Sequence, residues 1–479
     1  MRLFEIILLV SASIFPFLFL FKRGIANKKF IFILVGIIFI LHLLLEGLRW
    51  QMFLCYILIL ITLMLWKKAK SKPWNLFIKI LMTSSYIVVL VLSWSLPMLL
   101  PVFTLPAPTG KFKIGTKYIH IKTDRPELIT QDQKDQRELM LKVWYPAQIT
   151  EEGLEDYLDK GSRLGFATKY GLPAWSMNYL DFIKTHTYIQ PAIAKGKFPV
   201  LIFSHGHYSN AFGYYSLLEE IVSQGYIVIN INHTYESTGS IFPNGEIKLY
   251  NTTYDSLSNN SEQAEMVWNA TQQFQQAENT EEEYQAIKDI LTDYVAAKSI
   301  QRWSNDISSV IDHLENDKQL SFIATHMKKS GIGVFGHSHG GAAAGQALLD
   351  DKRIEAAINI DGTQWGDMIN STLNKAFASI SSAWPEEHPN FNNQAFRNKS
   401  NADFYNIRIN NTGHSNFMDI PLMVNVPAIN EAGDMAPFKA YEITNSLILK
   451  FFNKYLLNKQ NNIYAIENKF EEVSIQTVF

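Results

Sequence analysis

The run Ile332-Gly333-Val334-Phe335-Gly336-His337-Ser338-His339-Gly340-Gly341-Ala342 limits what this chain can become more than any other part of it. An apolar strand leads into Gly-x-Ser-x-Gly, and a helix of small residues follows at once, which is the setting of a nucleophile elbow. The turn forces Ser338 into a strained conformation, so its neighbours Gly336 and Gly340 must leave room that a side chain would fill. Ala342, Ala343 and Ala344 let the helix press close to a sheet. Its amino-terminal end adds positive potential where an oxyanion would form.

The surrounding sequence, from about Gly110 onward, has the rhythm such an elbow requires. Strands are expected at Lys117–Lys122, Glu138–Tyr145, Pro199–Ser204, Tyr226–Ile231, Ile332–Phe335, Ala356–Ile360 and Phe404–Ile409. The later ones are near-continuous apolar runs, as in strands covered on both faces. Helical patterns at Tyr214–Ser223, Ser338–Leu349 and Tyr441–Asn458 alternate with them. The fold class is therefore α/β: two early strands, antiparallel, and then a doubly wound, mostly parallel core. Between Tyr235 and Asp317 the rhythm breaks. An Asn/Ser-rich stretch gives way to a Gln- and Glu-rich one with Met266, Trp268, Phe274, Tyr284, Ile287 and Leu291 at helical spacing, an inserted helical segment that suits part of a cap or a plain surface helix pair.

Residues 1–104 are of another kind. Four apolar stretches, about Leu3 to Phe21, Phe30 to Leu45, Met52 to Trp66 and Phe77 to Leu100, approach the roughly 20 helical residues needed to cross a bilayer. They read as a four-helix transmembrane region, the middle two short and joined only by Glu46–Gln51, so a partly re-entrant pair is the alternative. Lys22, Arg23, Lys28 and Lys29 follow the first stretch, and Lys67, Lys68, Lys70 and Lys72 precede the fourth. Basic loops stay in the cytoplasm, which puts residues 105–479, one α/β domain, on the extracytoplasmic side. A cleavable signal peptide fits the first stretch less well, because Lys22-Arg23 follows it directly. His42 is the one candidate for a transport path and reads more naturally as bundle packing.

Charge narrows the partners. Residues 1–104 hold eleven Lys or Arg against two acids, so the remainder is acidic although the formal net charge of the chain is only −2. An acidic domain without a basic stripe is no nucleic-acid binder. Cys55 is the only cysteine, which removes disulfides and zinc knuckles.

A serine hydroxyl needs a base, and behind an elbow the order along the chain is Ser, acid, His. Past the elbow only His388 and His414 remain. His388 lies in a polar turn, whereas His414 follows the strand Phe404–Ile409 and is favoured. Asp361 closes the apolar run Ala356–Ile360 and is the expected acid, with Asp367 and Asp403 as rivals. The backbone N–H groups of His339 and of His207, in the loop after Pro199–Ser204, are the expected oxyanion donors. The pairs His205/His207 and His337/His339 admit a metal reading, but the further ligands it needs are not near in sequence. No cofactor and no metal is expected.

These residues resemble the plasma-type platelet-activating factor acetylhydrolases and their bacterial relatives, within the α/β-hydrolase superfamily. Phe198–Gly206 is similar to the family's oxyanion strand and turn, Gly336–Gly341 to its elbow, and His414-Ser415-Asn416-Phe417-x-Asp419 to its histidine block. Asp361 stands at the family's short distance after the serine. Lys142–Pro146 and Ile183–His186 resemble segments ahead of the core, and the likeness covers roughly residues 110–460. It implies a calcium-independent serine esterase that removes a short or oxidised sn-2 acyl group from a glycerophospholipid through an acyl-enzyme. His207 and His339 stand where the animal enzymes usually carry apolar residues, which implies a more polar pocket entrance. A general carboxylesterase, thioesterase or peptidase on the same fold is the alternative, and a catalytically silent extracytoplasmic binding module is another. Trp175–Phe182 offers aromatic residues to a lipid surface or to the core.

Overall fold

Twelve strands form one mixed sheet in the computed structural model, which describes residues 1–20, 28–67, 75–149, 153–291, 293–383 and 400–478. In chain order the strands are β1 (Lys113–Pro126), β2 (Gln136–Gln148), β3 (Leu154–Asp156), β4 (Lys184–Ile189), β5 (Ala192–Ile193), β6 (Phe198–Ser204), β7 (Ile227–Asn232), β8 (Gly239–Ile241), β9 (Ile247–Leu249), β10 (Met327–His337), β11 (Ile354–Ile360), β12 (Ala376–Ser381), β13 (Phe404–Ile409) and β14 (Val473–Val478). Their order across the sheet is β14-β13-β12-β11-β10-β6-β7-β2-β1-β4-β3, with β5 on β2 and a separate β8-β9 hairpin. From β7 to β13 every neighbouring pair is parallel. The β1–β2, β2–β7 and β13–β14 pairs are antiparallel.

The α/β class read from the sequence is what forms, and the reason is visible in burial. All residues of β6 and β7 are buried. One face carries the helix Val295–Asn316 through Ile300, Trp303 and Ile307, and the helix His339–Asp350 through Ala342, Ala343 and Ala344, against Val200, Ile202, Ile229 and Val334. Burying each such Ile or Val side chain contributes about 1.5–3 kcal/mol. On the other face Phe203 and Phe335 meet at 4.8 Å, and Phe335 packs on Phe452 of the helix Pro437–Tyr455. Between Tyr235 and Asp317 lie the β8-β9 hairpin and the helices Thr252–Ser258, Ser261–Gln276, Thr280–Leu291 and Val295–Asn316.

This sheet belongs to a unit of Leu105–Ala174, Lys184–Ile420 and Glu431–Phe479. A second unit consists of Met1–Thr104 with Trp175–Ile183 and Pro421–Asn430. It contains the helices Leu3–Leu20, Lys28–Leu45, Phe53–Lys67 and Leu76–Leu99. Leu8, Leu9, Val35, Cys55 and Leu58 pack inside it, while Ile33, Leu44, Leu60, Phe77, Ile80 and Val88 are exposed. His42 is bound on both ring nitrogens, to Glu46 at 3.0 Å and Tyr56 at 2.6 Å, consistent with packing. Trp175 is exposed and Met177, Tyr179 and Leu180 are buried, so that segment divides between surface and core.

The expectation of four spans needs correction. Among the described residues one helix, Leu76–Leu99, is long and apolar enough to cross a membrane. The apolar stretches Leu3–Ile14, Phe30–Leu45 and Trp50–Met64 are shorter, 10–17 residues. At 1.5 Å per residue they rise about 15–26 Å, less than the roughly 30 Å of a hydrocarbon core.

Candidate active site

Parallel pairing brings the expected residues to one end of the sheet. His337 of β10 lies opposite Ile360 of β11, and Ile360 opposite Ile380 of β12. The next residues therefore leave the sheet side by side: Ser338 N–H donates to Ile360 O at 2.8 Å, and Asp361 N–H to Ile380 O at 2.7 Å. This is the crevice beyond the carboxyl ends of parallel strands where ligands bind in open α/β sheets.

Ser338 caps the helix His339–Asp350 with φ 56° and ψ −124°, a conformation that costs a non-glycine residue on the order of 1–3 kcal/mol. The bend is as cramped as the motif implies. A Cβ on Gly336 would lie 2.2 Å from Gly340 O, and one on Gly340 2.2 Å from Ser204 O.

Asp361 and His414 meet. His414 begins the short turn His414–Phe417 after β13, and its Nδ1 is 2.7 Å from Asp361 Oδ2. Asp361 also accepts from the N–H of Ser382 at 2.7 Å and from its hydroxyl at 3.1 Å. Burial alone would raise the Asp361 pKa, but the bonds and charges of His414, with the Ser382 amide, outweigh it and hold the group below the usual carboxylate value. For His414 burial pulls downward, and the hydrogen bond and charge of Asp361, aided by Glu431, win and raise it above 6.5. An ionised Asp361 fixes the proton on Nδ1, which leaves Nε2 as the basic atom. The rival acids do not share this place. Asp367 is exposed on a short turn, and exposed Asp403 is bound to Lys454 and Tyr455. His388 lies outside the described residues.

Ser338, His339, Asp361, His414 and His207 line one pocket of about 550 Å³. The N–H groups of His207 and His339 have no acceptor among the described residues. Two unspent amides on the pocket that holds the half-buried Ser338 form an arrangement able to receive a developing oxyanion. The His339 ring is held in place, with Nε2 2.7 Å from Ser299 Oγ and its ring at a right angle to Trp303, and burial holds its pKa down to about 3.

Several residues of the site carried no sequence signal. Tyr254, Tyr294 and Trp365 give the pocket an aromatic wall, and Glu431 an acidic edge. His337 links Tyr214, at 3.0 Å from its Nδ1, to the main-chain O of His414, at 3.1 Å from its Nε2. The side chains of His337, Asp361 and His414 lie close enough to hold a metal ion by distance alone. However, both nitrogens of His337 and Nδ1 of His414 are engaged in these hydrogen bonds, so a metal would have to displace them.

Comparison with known proteins adds a third line of observation. The sequence model of the family described as platelet-activating factor acetylhydrolase, isoform II, matches residues 100–473. A protein of Arthroderma benhamiae named "Probable 1-alkyl-2-acetylglycerophosphocholine esterase" is 26% identical over 36% of this chain and 34% of its own length. The "Platelet-activating factor acetylhydrolase" of Canis lupus familiaris is 24% identical over 66% of this chain and 71% of its own. Among solved structures, a ferulic acid esterase from Streptomyces cinnamoneus shares the fold, with a TM-score of 0.61 and 22% identity, over 78% of this chain and all of that one.

Proposed function

The chain belongs to the platelet-activating factor acetylhydrolase, isoform II, family, a family of ester hydrolases, and from that premise we propose a serine esterase that removes short sn-2 acyl groups from glycerophospholipids. The observation that carries the reading is the 2.7 Å Asp361–His414 pair on the pocket shared by Ser338 and two unpaired amides. Ser338 Oγ attacks the ester carbonyl carbon while His414 Nε2 takes its proton. Asp361 keeps the imidazole in the right tautomer and stabilises its cation. The tetrahedral oxyanion accepts from His207 and His339 N–H. Collapse expels the lysolipid alcohol, protonated by His414, and leaves an ester on Ser338. Water, deprotonated by His414, then releases the acid.

Acetate release by the full-length enzyme from a 1-alkyl-2-acetylglycerophosphocholine, set against a series of longer sn-2 chains and p-nitrophenyl esters, tests the substrate. Steep loss with acyl length is expected. Equal turnover of all of them supports instead a general carboxylesterase, the second reading, which the aromatic wall of Tyr254, Tyr294 and Trp365 favours. No labelling of Ser338 by a fluorophosphonate in the folded protein leaves a binding module.

The amino-terminal helices anchor the enzyme in a membrane, with Leu76–Leu99 crossing it and the apolar outer surface of its companions facing lipid. Lys67, Lys68, Lys70 and Lys72, ahead of Leu76–Leu99, support a catalytic domain on the extracytoplasmic side. Cys55 is buried and the only cysteine, so single cysteines replacing Lys134 or Lys70 report sidedness. An impermeant maleimide applied to intact cells is expected to label the first and not the second; the reverse pattern overturns the orientation.

A further inference from the structure

We propose that His205 is the positioning residue of the oxyanion site, its ring turning the Gly206–His207 peptide so that the His207 N–H faces the pocket. The inference rests on the assignment of His207 above and extends it to a residue that does not line the pocket.

His205 is completely buried at the end of β6. Its Nε2 receives the backbone N–H of His233 at 3.3 Å, so that nitrogen is unprotonated and the ring proton sits on Nδ1. Nδ1–H donates to Gly206 O at 2.7 Å. The same oxygen accepts from Ser209 N–H at 3.1 Å, closing a turn over residues 206–209 with Tyr208 at φ 52°. In a trans peptide the N–H points opposite to the C=O. Two donors that hold Gly206 O toward the protein interior therefore hold His207 N–H toward the opposite side, where it meets no acceptor. The amide before it is fixed as well, because Gly206 N–H donates to Tyr214 Oη at 2.9 Å.

What holds His205 is itself rigid. Its ring packs edge-on against His233 and Trp303, both at 5.3 Å. His233 donates from Nδ1 to Asp306 at 2.8 Å and accepts at Nε2 from Ser204 Oγ at 2.8 Å. Arg137 offsets the buried Asp306 charge at 2.7 Å. A preorganised oxyanion donor acts because its dipole need not turn during the reaction, and here the chain of fixed groups runs from Asp306 to the His207 amide.

Three kinds of variant test this in the full-length enzyme, with turnover counted per fluorophosphonate-reactive serine. Asn and Leu have nearly the same shape, and only Asn places a donor where Nδ1 stands. His205→Leu is expected to lower kcat about 100-fold with KM changed less than about threefold, the scale of losing one oxyanion donor. His205→Asn should recover at least about tenfold of that loss, and a trifluoromethyl ketone transition-state mimic should weaken on His205→Leu in step with kcat/KM. If either variant fails to fold, His205→Gln, which reaches the Nε2 position and not Nδ1, should resemble Leu in kcat. Equal kcat for Leu and Asn, or wild-type kcat for Gln, overturns the proposal. The oxyanion assignment is tested separately: proline suits the second position of such a turn and deletes only the N–H, so His207→Pro should fall far below His207→Ala. If the two match, the assignment and the proposal fail together. If proline is damaging while His205→Leu is as active as wild type, the assignment stands and His205 has no part in it.

Discussion

The imidazole of His337 donates from Nε2 to the main-chain carbonyl of His414 at 3.1 Å, so the residue just before the elbow serine holds the loop that presents the candidate base. Its other nitrogen accepts from the Tyr214 hydroxyl, which in turn takes the N–H of Gly206. The base loop, the elbow and the oxyanion loop are thus tied through two buried side chains. Burial holds the His337 pKa down to about 3, assisted by the neighbouring charge of His414, so this neutral arrangement persists across the working pH range.

Replacing His337 by Leu removes both bonds: the Tyr214 hydroxyl keeps the N–H of Gly206 but loses the acceptor for its own proton, and the His414 carbonyl loses this donor, each at about 0.5–1.5 kcal/mol. Denaturant titration of His337→Leu is expected to show that loss, and kcat per reactive serine to fall at least about tenfold, since 1.4 kcal/mol of misalignment suffices for that factor. Unchanged kcat would mean that the tie carries stability alone.

The acid limb of the pH profile follows from His414. The base works only when Nε2 is free, so kcat/KM drops as pH falls through the imidazole pKa, which Asp361 raises above 6.5 against the effect of burial. Asp361→Asn removes the main raising influence and leaves burial opposed only by the charge of Glu431, so the limb should move to lower pH while kcat drops by roughly 10⁴. A limb that stays in place in Asp361→Asn would break the assignment of this pair.

Ser338, Asp361 and His414 could be named as candidates from the sequence because the elbow is local and chain order ranks the rest. The parallel core was legible wherever strands are runs of Val, Ile and Phe. β12 escaped notice because four of the six residues of Ala376-Phe377-Ala378-Ser379-Ile380-Ser381 are small. With it went Ser382, whose amide and hydroxyl both bind Asp361. His205 and His337 suggested a metal reading, and the partners of His337 show why no short pattern could say more: Tyr214 lies 123 residues from it, and His414 lies 77. Among the apolar stretches, hydrophobicity located the helices, but their apolar lengths, set by how the chain turns between them, limit which one can cross alone.

Backbone strain at Ser338 gives a stability test independent of turnover. Its φ of 56° is free to glycine and costly to alanine as much as to serine. Ser338→Gly should therefore unfold at a higher urea midpoint than Ser338→Ala, by about 1 kcal/mol or more, while both lose turnover by at least about a thousandfold. Equal midpoints would mean that the bend relaxes when the hydroxyl is gone.

Asp419 gives a pH-dependence of opposite sign to the paired carboxylates. It is fully buried, accepting from the N–H groups of Tyr215 at 2.7 Å and Ser216 at 3.2 Å and from Tyr157 Oη at 3.2 Å, and it ties the end of the His414 loop to the helix Tyr215–Ser223. Burial outweighs those bonds and raises its pKa from 3.8 to about 6. A carboxyl whose folded pKa lies above its unfolded value contributes stability that is complete below the unfolded pKa and is lost as pH rises through the folded one. Between pH 3.8 and about 6 the unfolded chain ionises while the folded one resists, at up to 1.36 kcal/mol per pH unit, so the loss sums to about 3 kcal/mol and then levels off. Asp419→Asn does not titrate. The difference in unfolding free energy between wild type and this variant should shift against the wild type by about that amount from pH 4 to pH 7, with no further change to pH 8. A difference that stays flat across the range would show that the two amides and Tyr157 suffice to keep Asp419 ionised.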